Sequence, residues 1–567
     1  MASSLLSSTT NASLSLFPTQ TNSKSKRRIS RVSCNAADNN NKDDLNISKG
    51  HRRDVLIGLG GLGAATSFTY NPFAAFANPV VTNPKSCGRP NLPAGAKPIP
   101  CCPPKIDSDN VTDFVFPPKL PPRVRKPAHL LTADEAAKYK EAIRLMRALP
   151  DDDPRSFTQQ ANIHCAYCHD SYVLNGSTAP PQVKVHFNWL FAPFHRWYLY
   201  FYERILGSLI KDPTFALPFW NWDHPDGMYI PDIFADRRSS LYDAKRNANH
   251  LPPVLIDLNW NRRLGDTSGD SGINLNKVYT NIAAVKAPDT FFGKNFDQGG
   301  GQFNASGTLE LLHNTGHSWT GDPTDPNNED MGSFYSSGRD PLFYSHHSNV
   351  DRLWTIWKDK FGGVDFIEDD YLNSSFLFYD HDGKLIKVNV KDSLDPSLLG
   401  YKYDDVPIPW ADAKPTTTTT SVVPASTDNP PKLPLLLNNV TSFTVKRPSK
   451  SRSKVEKKKK EELLVFEVAL DKSKDVKFDV LLFWKGDPTK ASPKNREFAG
   501  SFVNVSHAPS PRDLKVKFII EISDLLDDLK ADDQDNIQVT LVPQYGNVPV
   551  TINDVHVSYH EHRRFRK

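Results

Sequence analysis

DPLFYSHHSNVDRLWTIWKDKF, residues 340–361, has the apolar spacing of a helix, and Pro341 suits a first-turn position, where its missing N–H is no loss. The stretch carries two adjacent histidines, His346 and His347. Neighbours on a helix point roughly 100° apart, so only one of the two should face a given site. Upstream, HNTGH (residues 313–317) sets His313 and His317 at i and i+4, which puts both imidazoles on one helical face where they can meet a single metal ion. Glu310, three residues before His313, should share that face.

A further group of histidines lies earlier in the chain. HCAYCHD (residues 164–170) packs His164, Cys165, Cys168 and His169 together, and His186 and His195 follow in an aromatic setting, HFNWLFAPFHRWYLYFYER, before LPFWNWD. One isolated histidine is most often a satisfied core residue, whereas clusters that recur in such surroundings call for a metal. A zinc protease would need glutamate directly after the first histidine of the HxxxH pair, and that position is Asn314. Six neutral imidazoles with no carboxylate in obvious contact suit a softer, redox-active ion, and copper is the best first-row candidate. Two groups of three would hold two coppers.

At 567 residues the chain exceeds one hydrophobic core. LLTADEAAKYKEAIRLMRALP should open a helix with Thr132 as N-cap and Glu135 completing a capping box, and FHRWYLYFYERILGSLI continues the helical pattern. The first large domain therefore reads as mostly helical with long connections. Residues 412–454 begin with the low-complexity run ADAKPTTTTTSVVPASTDNPPKLP, which reads as an exposed linker open to proteolysis, and RPSKSRSKVEKKKKEE reads as a solvated cationic loop. Beyond it LLVFEVAL, KFDVLLFW, SFVNVSH, KVKFIIEI, IQVTLVPQ and VTINDVHVSYH are short β-branched and aromatic runs between turns, the pattern of an all-β sandwich.

The N-terminus reads as two sorting signals. Residues 1–34 are rich in Ser and Thr, lack acidic residues and carry a basic cluster, which is transit-peptide composition. Arg52-Arg53, an apolar run too short and glycine-rich for a spanning helix, and Ala75-Phe76-Ala77 follow, in the manner of a twin-arginine signal with a processing site. Together they imply import into a chloroplast and then into the thylakoid lumen, with no stable membrane span. Residues 1–77 hold nine Lys/Arg against four Asp/Glu, so the basic surplus belongs to the leader and nothing in the charge suggests nucleic acid. Without the leader's Cys34, five cysteines remain. Two disulfides would tie the proline-rich stretch from Cys87 onward to the HCAYC region and leave one cysteine over, and the neighbours Cys101 and Cys102 could bridge each other only with strain.

HCAYC, HFNWLFAPFHRWYLYFYE, LPFWNWD, the HNTGH pair and DPLFYSHHSNVDRLW closely resemble the two copper-binding regions of plant polyphenol oxidases, the catechol oxidase and tyrosinase group of type-3 copper proteins. The likeness extends to the dual leader, the Tyr401 and Tyr403 pair and VKFDVLLF. It implies a catalytic domain (residues 78–411) with a proline-rich arm and a four-helix bundle around a dicopper centre, the cleavable linker at 412–454, and a shielding β-sandwich at 455–567. It implies His164, His186 and His195 as ligands of the first copper and His313, His317 and His347 as ligands of the second. His169 has no counterpart among the ligands and is expected at the surface or behind the site. By the same likeness Cys168 forms a thioether with His186, and the disulfides join Cys87 to Cys102 and Cys101 to Cys165.

The implied activity is oxidation of ortho-diphenols to ortho-quinones with reduction of O2 to water, made latent until a protease removes the shield. Phe334 matches a bulky gate residue over the second copper, and Glu310 with Asn314 could orient a water as base for hydroxylation of monophenols. The partners are small phenols and an activating protease; no sequence feature fixes an oligomeric state. The rival reading is a reversible oxygen carrier of the haemocyanin type, which would use the same six histidines without turnover.

Overall fold

A computed structural model describes residues 79–561 apart from 91, 105–109, 119–120, 170, 175–182, 261–267, 296–303, 418–428, 507–512 and 546–549. The sorting signals expected over residues 1–77 lie outside the described residues. No helix among the described residues is long and apolar enough to cross a membrane.

Helix α1 (Ala133–Ala148) begins with the expected capping box, Thr132 accepting from the Glu135 N–H and Glu135 from the Thr132 N–H. Its buried residues Tyr139, Ala142, Ile143 and Met146 keep helical spacing and turn that face to the core. Four longer-range partners surround the histidines: α2 (Phe157–Cys168), α3 (Phe191–Leu209), α4 (Thr308–Thr320) and α5 (Leu342–Phe361). Pro341 is the N-cap of α5, one place earlier than expected, and Gly362 ends the helix at φ 73° with its N–H returned to the Trp357 carbonyl. Every residue of α4 is buried, so its polar side chains need partners inside the protein.

The bundle is pinned by buried charge. Asp351 of α5 accepts from Arg196 of α3, from Arg125 and from the hydroxyls of Tyr401 and Tyr403, while Glu203 of α3 accepts from Arg123 and Arg125. The strands Arg123–Arg125 and Tyr401–Tyr403 run parallel beside each other, so this network explains the tyrosine pair. Removing one member of such a network strands an unpaired charge, commonly at about 3–5 kcal/mol. Disulfides join Cys87 to Cys102 and Cys101 to Cys165, tying the proline-rich arm to α2 beside His164.

The strand-rich part is a sandwich of two sheets. With β1 (Asn304–Ser306), β2 (Leu435–Leu437), β3 (Thr441–Lys446), β4 (Lys460–Asp471), β5 (Val476–Leu482), β6 (Phe498–Asn504), β7 (Asp513–Glu521), β8 (Asn536–Tyr545) and β9 (Val550–Glu561), one sheet has the order β3-β8-β5-β6 and the other β1-β7-β4-β9-β2. The six strand runs read from sequence are all strands. Two expectations are corrected. The flexible linker does not reach residue 454, because β2 and β3 within it pair with β9 and β8. The cationic run is no simple loop either: Lys454–Lys459 form α6, opened by a Ser453/Glu456 capping box.

The sheet edge at β7 is covered by a strand from the helical part: β1 pairs parallel to β7, Asn304 opposite Val516 and Ser306 opposite Phe518. This closes an otherwise open edge. It also places the sandwich directly over α4, which begins two residues after β1.

Candidate metal centre

The expected ligands converge from four helices and one loop: His164 on α2, His195 on α3, His313 and His317 on α4, His347 on α5, and His186 in the turn before α3. That turn is held open by Phe187 at φ 59°, whose N–H lies 2.9 Å from both carboxylate oxygens of Glu310. The Nδ1 atoms are largely occupied. His164 donates to the Phe334 carbonyl at 2.7 Å, His195 to Phe191 at 2.8 Å, His313 to Glu310 at 3.1 Å and His317 to Met331 at 2.7 Å. His186 Nδ1 donates to the Glu310 carboxylate at 2.9 Å.

A neutral imidazole whose Nδ1 carries the proton presents a bare lone pair at Nε2. The Nε2 atoms converge: those of His164 and His186 are 3.4 Å apart, and those of His313 and His317 lie 3.2 Å and 3.1 Å from His347 Nε2, whose own Nδ1 has no hydrogen-bond partner among the described residues. The buried His195 Nε2 has no hydrogen-bond partner among the described residues. Clustered acceptors without donors repel one another unless a cation sits between them, so the donor set fits metal ions. Burial, with repulsion from neighbouring imidazoles, holds His164, His313 and His347 well below the usual histidine range; burial takes His195 down to about 3 and His317 to about 4. The rings are thus neutral and ready to ligate at neutral pH. The two triads face each other, with His195 stacked on His347 at 4.2 Å between ring centres.

Distance alone would also allow His346 to join His313 and His317, since one ligand atom of each lies within 4.8 Å of the others. Both His346 nitrogens are engaged elsewhere, however: Trp222 Nε1 donates to Nδ1 at 3.1 Å, and Nε2 reaches the His313 carbonyl at 3.3 Å. His347 is the residue of the pair that turns its Nε2 to the cluster.

Other candidates fall differently. His169 is buried at 1% exposure against Tyr335, which rules out the surface and leaves the other expected place, behind the site. Phe334, expected over the second copper, lies face to face with His186 of the first set, ring centres 4.1 Å apart and planes 11° apart. The cause is its position, since its own carbonyl holds His164. Glu310 is fully occupied by His186, the Phe187 N–H and Ser306, and burial still pushes its carboxyl up to about 8. Asn314 donates to the Val503 carbonyl of β6 at 3.1 Å. Asn314 is therefore engaged away from any water-orienting role while the sandwich is docked, whereas the partners of Glu310 all lie in the helical part of the chain. Cys168 is half-buried, its sulfur within 4.8 Å of ligand atoms of His164 and His186.

Ser306, Trp222 and Gly316 were not foreseen. Trp222 and Gly316 meet His346 from distant segments, with a glycine in mid-helix as the one local hint, and Ser306 stands four residues before Glu310 across a strand-to-helix break that no spacing rule bridges.

The aromatic wall of the centre is continuous with the sandwich. Phe187, Leu311 and Phe334 pack in one apolar cluster with Phe478, Phe502 and Phe518. Across the same contact Lys277 Nζ donates to Ser501 Oγ at 2.7 Å, and Ser501 donates in turn to Asp479. Lys477 Nζ reaches the Asn259 carbonyl at 2.6 Å.

Two facing triads of neutral imidazoles on a helical bundle define a dinuclear metal protein of the tyrosinase type. Residues 154–360 match the model of the common central domain of tyrosinase, 365–416 that of the polyphenol oxidase middle domain, and 433–559 that of the chloroplastic polyphenol oxidase C-terminal domain. The chain belongs to the plant polyphenol oxidase family, and its two triads fit that family's dinuclear copper centre. It is 44% identical to the chloroplastic polyphenol oxidase of Malus domestica over 93% of this chain and 92% of that one. It is 47% identical to polyphenol oxidase A1, chloroplastic, of Vicia faba, over 95% and 93%. Among solved structures, latent apple tyrosinase superposes with a TM-score of 0.74 at 43% identity, covering 80% of this chain and 100% of that one. Latent aurone synthase gives 0.79 at 38% identity, covering 85% and 99%. These relatives do not favour the oxygen-carrier reading.

Proposed function

We propose that this chain is a latent polyphenol oxidase in which His164, His186 and His195 hold one copper and His313, His317 and His347 the other. The convergence of bare Nε2 lone pairs carries this reading. When bound, the copper pair supplies the reduction of O2 to water and accepts the electrons of ortho-diphenols, which leave as ortho-quinones.

The protein's own residues orient and enclose. Backbone carbonyls of Phe334, Phe191, Glu310 and Met331 fix the imidazole tautomers, and the Glu310 carboxylate fixes His186. The His186 ring is further tethered by a thioether to Cys168, formed with loss of two hydrogens to O2. Phe334 supplies a flat apolar wall against which an aromatic substrate can lie.

The sandwich keeps the enzyme latent by covering this wall. Its separation exposes the centre and also frees Asn314 from Val503, after which Asn314 can orient a water for monophenol hydroxylation beside Glu310, which keeps its bonds to His186 and Phe187. The cleavable stretch lies within residues 412–434, before β2. The leader delivers the chain to the chloroplast, and its twin-arginine part to the thylakoid lumen. A substrate panel on copper-loaded enzyme freed of its sandwich, with tyrosine and tyramine beside catechol and caffeic acid, tests the reading. Quinone from the diphenols is expected, and O2 binding without quinone from any of the four would overturn it.

A further inference from the structure

The structure assigns His346 the role of a clamp that sets the second metal's ligands in place without ligating. This rests on the reading that His313, His317 and His347 hold that copper. An indole N–H can only donate, so the 3.1 Å contact from Trp222 Nε1 makes His346 Nδ1 an acceptor. In a neutral ring the proton then sits on Nε2, which donates to the His313 carbonyl at 3.3 Å. No lone pair remains for a metal.

The consequence is mechanical. His346 reaches from α5 to the backbone of a ligand on α4, and its ring stacks on the His313 ring at 5.1 Å with planes 16° apart. It stands edge-on to His317 at 5.0 Å. One side chain thereby touches both α4 ligands while its neighbour His347 supplies the third. The approach needs Gly316, because a Cβ there would lie 2.7 Å from His346 Cε1. Glycine inside a helix costs about 1 kcal/mol relative to alanine, and at this position it leaves a notch for the ring. Trp222 orients the clamp in turn, from a segment outside the four helices. His346, Trp222 and Gly316 are thus positioning residues for the second copper.

The test is copper stoichiometry and the rate of copper transfer to a chelator, measured on the full-length protein carrying H346L, H346Q, G316A or H347L. The clamp predicts that H346L and G316A still take up two coppers per chain but release one of them about 10–100-fold faster. H346Q keeps an acceptor and a donor and should recover part of the loss. H347L should hold one copper. If H346L does not fold, G316A and H346Q carry the same comparison. One copper per chain in H346L or H346Q with two in H347L would overturn the clamp by making His346 the ligand, and unchanged release in G316A and H346Q would overturn it as well. Wild-type protein that binds fewer than two coppers would instead refute the copper reading on which the clamp depends.

Discussion

Glu310 Oε1 lies 2.9 Å from His186 Nδ1, so a carboxylate from the helix bearing His313 and His317 holds a ligand of the opposite triad. Ser306, on the strand that joins the sandwich, donates to the same carboxylate at 3.2 Å. The two metal positions and the shielding sheet therefore share one carboxylate.

Replacing Glu310 by alanine removes the partner of His186 and of the Phe187 N–H. Copper at the first position should then dissociate about 10–100-fold faster, the usual range for loss of a group behind a ligand. Ser306→Ala leaves the other two bonds and should have a smaller effect in the same direction. Chelator competition on the full chain measures both.

The sandwich is held by more than the peptide linker. Lys277 and Lys477 are buried at 2% and 1% exposure, each bonded across the contact to the other part of the chain. A chain cut within residues 412–434 should therefore elute as one particle with little activity. Asp479→Ala, which removes the acceptor of Ser501 and the carboxylate 3.9 Å from Lys477 while leaving Asp257 near both lysines, should weaken docking by about 1–3 kcal/mol, so that the cut variant separates on gel filtration and turns over catechol. Prompt separation of the cut wild type would contradict the latch.

Docking also carries a pH dependence. Burial and the neighbouring Glu461 push the Glu521 carboxyl up to about 8, although it accepts the N–H groups of Lys286 and Ala287. Its protonated form is favoured in the docked state. The stabilisation is complete below the ordinary carboxylate range near 4.5 and is lost as pH rises through about 8. Lys277, pushed down to about 7 chiefly by burial, works in the opposite sense, losing stability as pH falls toward 7. Comparing wild type with Glu521→Gln isolates the carboxyl. The variant should gain relative thermal stability between pH 4.5 and 8, by a few kcal/mol, and identical profiles would exclude the assignment.

Much of this architecture was legible because it is local. The Thr132/Glu135 capping box, the i, i+4 histidines of α4 and the alternating runs of the sandwich each lie within one element. What escaped was non-local. β1 is three residues long and becomes a strand only by pairing with β7, more than two hundred residues later. β2 and β3 sit in or beside low-complexity sequence and are fixed by β9 and β8. Trp222 meets His346 across 124 residues, so no spacing rule could find it. The α6 capping box was readable as Ser453-x-x-Glu456, but the lysine run masked it.

Phe334 is fully buried between His186 and the sandwich core. Its replacement by alanine should destabilise the full-length chain by about 3–5 kcal/mol, as large cavities in cores do. In enzyme freed of the sandwich the same change should widen the entrance, lowering KM for bulky diphenols several-fold more than for catechol. Steady-state kinetics on the two substrates checks this.

Oxygen uptake with 4-methylcatechol, before and after separation of the sandwich from copper-loaded protein, tests the central claim most directly. The account predicts little uptake by the intact chain. The separated catalytic part should consume one O2 for every two quinones formed, and copper-free protein none. Equal rates before and after separation would contradict latency, and O2 bound reversibly with no quinone would contradict the enzyme itself.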